Sequence, residues 1–121
     1  MAKSFNQAEP INQLQIGQLV KSRAGRDLGC YYLVYKLEAP KKKTGPIQVW
    51  LVDGRERTAS RPKLKNPRHL QRTRLVAEAF AAQVKAGVCT PEDTRAALNM
   101  LLREEMLQKN PDEEALANVE S

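Results

Sequence analysis

Short apolar runs cut apart by glycine, proline and aspartate set the limits on what this chain can fold into. Ile16-Gly17-Gln18-Leu19-Val20 and Tyr31-Tyr32-Leu33-Val34-Tyr35 are rich in β-branched, aliphatic and aromatic residues, and Lys21 to Cys30 separates them. Runs of this length and make-up read as strands, with a loop between them. The pattern predicts strands over Gly17 to Ser22, Cys30 to Leu37 and Gln48 to Val52, with weaker ones at Glu56 to Ser60 and His69 to Arg72. Lys41-Lys42-Lys43-Thr44-Gly45-Pro46 reads as a basic loop, and Asp53-Gly54 as a hairpin-turn dipeptide that accepts positive φ. Short strands joined by turns at short intervals indicate a small barrel or sandwich.

After Thr73 the period changes. Thr73 can cap a helix in which Val76, Phe80 and Val84 recur at i, i+4 and i+8, ended by Gly87. Thr90-Pro91-Glu92-Asp93 then supplies a hydroxyl cap, a proline at the first helical position and acids in the first turn. Leu98, Leu101 and Leu102 give this second helix an apolar stripe, and the two helices should pair as a hairpin. The expected class is α+β, with a flexible leader over 1–15, a barrel over 16–73, a helical hairpin over 74–107 and an acidic tail over 108–121. At 121 residues one domain is the expected count.

The formal net charge of +6 conceals an asymmetry. Over residues 1–75, 16 Lys+Arg stand against 5 Asp+Glu; over 76–121, 4 stand against 9. A basic front and an acidic rear suggest one surface built to face a polyanion. No apolar run approaches the roughly 20 residues of a membrane span, so no membrane partner is expected. The start of the chain shows no apolar secretory core, so the expected compartment is the cytoplasm.

Catalysis needs groups that converge, and few are on offer. His69 is the sole imidazole, beside Arg68 and Leu70, and suits a structural or phosphate-facing place better than that of a general base. Asp53 is first of all a turn residue. Cys30 and Cys89 lie far apart without a CxxC pair, which excludes the usual zinc spacings and favours two reduced, partly buried thiols. No enzyme activity, cofactor, metal or small-molecule substrate is expected.

The stretch Arg55 to Arg74 holds eight cations and one acid, Glu56. Eight like charges so close repel each other unless an anion meets them. Pro62 and Pro67 keep the segment extended, so Lys63 and Lys65 would point along one face toward a run of phosphates. With Lys21, Arg23 and Arg26 before it and Lys41, Lys42 and Lys43 between, a basic surface takes shape that also draws on Arg55, Arg57, Arg61 and Arg68. The aromatics discriminate less. Alternation puts Tyr31, Leu33, Tyr35 and Leu37 on one face of their strand and Tyr32, Val34 and Lys36 on the other, so both faces are partly apolar and core packing comes before base stacking.

The segment Gly17 to Gly29, GQLVKSRAGRDLG, resembles the KOW motif, a strand, a basic glycine-bearing loop and a second strand found in ribosomal proteins and transcription elongation factors with SH3-like barrels. Downstream, VDGRERTASRPKLKNPRHLQ, Val52 to Gln71, resembles small bacterial KOW-domain RNA-binding proteins, themselves similar to an archaeal and eukaryotic large-subunit ribosomal protein. The resemblance runs over about 16–103. It implies an SH3-like barrel and a non-catalytic RNA-binding protein, associated with ribosomal RNA or ribosome assembly and with ribosomal proteins as further partners. It also implies that Gly25 and Gly29 bring backbone N–H groups close to phosphates, and that Lys21, Arg23, Arg26, Lys63, Lys65 and His69 contact RNA. The other expectation is an SH3-like protein-interaction module in transcription or translation, which would depend on Tyr32 or Trp50.

Overall fold

The first three apolar runs form strands β1 (Gln18–Ser22), β2 (Tyr31–Glu38) and β3 (Gln48–Val52), with successive residues buried on both faces. β4 (Lys63–Lys65) and β5 (Leu70–Val76) follow, with a 3-10 turn at Pro67–His69 between them. Two helices, α1 (Glu78–Ala86) and α2 (Pro91–Lys109), complete the α+β fold. This is a computed structural model, and it describes residues 14–109. Most of the expected leader, up to residue 13, and of the expected tail, from residue 110, lies outside the described residues.

The sheet is antiparallel, in the order β4-β3-β2-β1-β5, and its backbone ladders leave it open between β4 and β5. Its two edges are nevertheless drawn toward each other at one end, where Lys65 Nζ donates to Ala24 O and the Arg23 N–H to His69 O. Five flat strands put the outer two about 19 Å apart. The chain from Lys65 to Leu70 reaches only about 17 Å even when fully extended, and residues 67–69 are wound into a 3-10 turn. The two edges must therefore approach each other. Register irregularities between Gln18 and Val20 and between Val34 and Lys36 are where such a bend concentrates.

Both faces of the sheet are apolar. On one, Leu19, Leu33, Val52 and Leu75 pack with Phe80 of α1 and with Leu98 and Leu101 of α2. On the other, Val20, Tyr32, Val34, Val49, Leu51 and Leu70 pack together, drawn from β1, β2, β3 and β5, with no residue of α1 or α2 among them. Leu19, Leu33 and Phe80 are at most 1% exposed, and full burial of such side chains is worth about 1.5–3 kcal/mol each. Leu37 packs with the second cluster although simple alternation places it with Tyr31, Leu33 and Tyr35. The irregularity at Val34 and Lys36 lies just before it and shifts the phase.

The fold departs from the sequence expectation at two segments. No helix begins at Thr73: β5 runs on to Val76, opposite Gln18, and the Thr73 hydroxyl donates to Leu19 O at 2.8 Å. α1 starts only at Glu78. Glu56 to Ser60 is not a strand, because the Asp53 carboxylate accepts the N–H groups of Arg55 and Arg57 at 2.8 and 2.9 Å and holds the segment in a turn. The second partner of β3, beside β2, is Lys63–Lys65. The helix ends follow the sequence signals: Gly87 closes α1 in the left-handed region, and Thr90 and Asp93 bond reciprocally across the first turn of α2.

Candidate nucleic-acid interface

The loop between β1 and β2 is assembled around a carboxylate. Asp27 Oδ1 accepts the Ser22 hydroxyl at 2.8 Å and Lys65 Nζ at 2.7 Å, and Oδ2 accepts the Tyr32 hydroxyl at 2.9 Å. Lys65 Nζ also donates to Ala24 O at 2.9 Å, which ties β4 to the loop across the open edge of the sheet. The Asp27 and Lys65 side chains are 12% and 10% exposed. Burial opposes the charge on Asp27, but the hydrogen bonds from Lys65, Ser22 and Tyr32 and the Lys65 charge outweigh it and hold the carboxyl well below the usual range. Burial first, then the bond to Asp27, keeps the Tyr32 phenol well above its ordinary value.

Lys63 and Lys65, expected to point along one face toward phosphates, both approach Asp27 on one side of β4. Lys65 is turned inward and neutralised by Asp27; Lys63 lies 4.0 Å from Asp27 Oδ2 and is only partly exposed. Gly25 and Gly29 do adopt positive φ, near 90°. The Gly29 N–H, however, donates to Ser22 O at 2.8 Å, so it serves the loop and is not left for an anion. What the loop offers outward is Arg23 and Arg26, both exposed.

Arg23 does not stand alone. Its N–H donates to His69 O at 2.8 Å, and Ser22 lies opposite Leu70, so the start of the loop is fastened to the 3-10 turn. That turn is itself fixed by Asn66, whose side chain accepts the Arg68 N–H at 3.0 Å. Arg23, the exposed Arg68 and Arg72 of β5 consequently line one groove, of about 840 Å³, whose opposite wall is Thr44 to Ile47. A contiguous depression carries Lys41 and Lys42 along the outside of β4 and shares Gly45, Pro46, Ile47 and Asn66 with the groove. Lys43 is exposed on the same loop.

The remaining candidates are dispersed. Lys21 sits with its ammonium 5.5 Å from the centre of the Tyr31 ring, a cation–π contact on the body of β1. Arg55, Arg57 and Arg61 line a separate shallow depression with Glu56 and Thr58. His69 is exposed at the end of the 3-10 turn, and its backbone oxygen is what the fold uses. Cys30 is exposed, not partly buried as expected; Cys89 is half-buried, and both are free thiols. Among the described residues no group of three or more His, Cys, Asp or Glu could hold a metal ion, and no helix is long and apolar enough to cross a membrane.

Sequence reasoning missed Asp27 as the organiser of the loop and Arg72 as part of the groove. The signal for Asp27 is present: it is the only acid between Glu9 and Glu38, set among Lys21, Arg23 and Arg26. Arg72 shares the groove with Arg23 because β5 pairs with β1, a contact that local sequence does not display. No protein-family model matches the chain, and comparison with curated proteins returns no match.

Proposed function

We propose that the chain is a non-catalytic, cytoplasmic RNA-binding protein of the SH3-like KOW type, which holds folded RNA, in the setting of ribosomal RNA or ribosome assembly, through phosphate contacts. The observation that carries this reading is the meeting of Arg23 and Arg68, from two different elements, at one groove while the nearest loop carboxylate, Asp27, is fully engaged by Lys65, Ser22 and Tyr32. Cations whose local acid is already neutralised keep their charge for an external anion. The five-stranded sheet, its edges drawn together at one end and a 3-10 turn passing the chain from one to the other, supports the SH3-like reading. The ribosomal setting rests on the resemblance of Gly17 to Gly29 and Val52 to Gln71.

A peptide-binding module would lean on Tyr32 and Trp50. Tyr32 is buried with its hydroxyl on Asp27, and Trp50 Nε1 donates to Glu38 at 2.9 Å, so neither is poised to read a ligand. Fluorescence anisotropy with a labelled RNA across a salt series tests the RNA reading. Each phosphate contact contributes a slope of roughly −0.7 in log K against log salt for single strands. The Arg23→Ala/Arg68→Ala double variant should bind more weakly and show a slope shallower by about 1.4. An unchanged affinity and slope would remove the groove from the account. Comigration with ribosomal particles in a native lysate, lost after RNase, tests the ribosomal setting.

A further inference from the structure

We propose that the groove between Thr44–Ile47 and the Pro67–His69 turn is a pocket for an unstacked nucleobase, so that this surface takes single-stranded or bulged RNA in preference to continuous duplex. The inference rests on the RNA reading above and adds the class of RNA. Its ground is the distribution of polar and apolar groups. The cations Arg23, Arg68 and Arg72 share the groove with Pro46, Ile47, Pro67 and Leu70. A site that touched only phosphates would gain nothing from those apolar groups, because a charged oxygen set against them loses hydration without a partner. A base turned out of the stack presents an apolar face to such a surface and leaves its own phosphate for Arg23 and Arg68.

Size and rigidity agree with this occupant. About 840 Å³ lies within the range of small-molecule sites, roughly 300–1,000 Å³, and far exceeds what one phosphate fills. Pro46 and Pro67 have fixed φ, and Pro67 opens a turn already held by Asn66 and by the Arg23 bond to His69, so the groove is largely formed before a ligand arrives. Asn66 uses its Oδ1 on the Arg68 N–H, and its Nδ2 has no protein partner among the described residues. With exposed Gln71 at the same groove, that amide offers hydrogen bonds to a base edge. Among the described residues no aromatic side chain lines the groove, so there the base would be held by proline and aliphatic faces.

The test is anisotropy at one fixed salt with the full chain and four probes: oligouridine, a perfectly paired RNA hairpin, the same hairpin with one bulged uridine, and polyglutamate. The expected result is that oligouridine and the bulged hairpin bind about tenfold tighter than the perfect hairpin, with polyglutamate far weaker. Ile47→Ser should bring oligouridine down to the level of the perfect hairpin. Because Ile47 also packs against the core, the exposed Pro46→Ser provides a second variant and should erode the same preference. Equal binding of the perfect and bulged hairpins would overturn the base pocket while leaving RNA binding intact. Binding of polyglutamate as tight as that of RNA would overturn both readings and make the groove an acidic-peptide site.

Discussion

Asp27→Ala is expected to lower folding stability at neutral pH by about 3–5 kcal/mol, the usual cost of removing one partner of a buried ion pair. The substitution leaves the Lys65 ammonium, 10% exposed, with Ala24 O but no counter-charge, and takes from the Tyr32 hydroxyl its acceptor and from the Ser22 hydroxyl one of two. Asp27→Asn should cost less, since an amide oxygen can still accept although the charge is gone. The pH dependence has a definite sign. The carboxyl in the fold lies below its unfolded value, about 3.9, so its contribution is complete above that value and is lost as pH falls from there toward the folded value. Urea denaturation should show a wide gap between wild type and Asp27→Ala at pH 7 that narrows below about pH 4. Equal midpoints at pH 7 would mean that the hub does not hold the loop.

The second large effect is expected at Gly54. Its φ is +80°, and a Cβ there would lie 2.8 Å from Pro91 O, 2.9 Å from Arg95 N and 2.7 Å from Arg95 Cγ. The loop after β3 is docked this closely on the first turns of α2, and Arg95 Nη1 donates back to Gly54 O at 2.6 Å. Gly54→Ala therefore combines left-handed strain with a clash against helix backbone, together about 3 kcal/mol or more. Gly29→Ala is the internal control. Its φ is +91°, but nothing lies within 4 Å of the added carbon, so only the conformational cost of about 1–2 kcal/mol applies. If thermal or urea unfolding ranked the two equally, the close packing of the loop on α2 would be contradicted.

Much of the fold is legible in local sequence because local chemistry decides it. β1, β2 and β3 follow from runs of β-branched, aliphatic and aromatic residues, the turn at Asp53 from an Asp-Gly pair, and the helix ends from Gly87 and Thr90. The segment 73–77 misleads for a physical reason. Leu75 and Val76 suit either a helix or a strand, and pairing with β1, more than fifty residues earlier, decides in favour of the strand. The site is legible in part. The charge on the β1–β2 loop and on 55–74 is visible in composition, but which cations face outward is not. Lys65 reads as exposed from its spacing with Lys63 and is half-buried, its ammonium drawn to Asp27 across the sheet edge. Arg23 and Arg68 meet only once β5 has paired with β1.

If RNA occupies the groove formed by the β1–β2 loop, the loop before β3 and the 3-10 turn, amide chemical-shift mapping of the isotope-labelled full chain during titration with oligouridine should show shifts concentrated at residues 22–26, 44–47 and 66–72, with residues 96–107 of α2 quiet. Shifts confined to α2, or a spectrum unmoved by RNA at low salt, would contradict that occupancy.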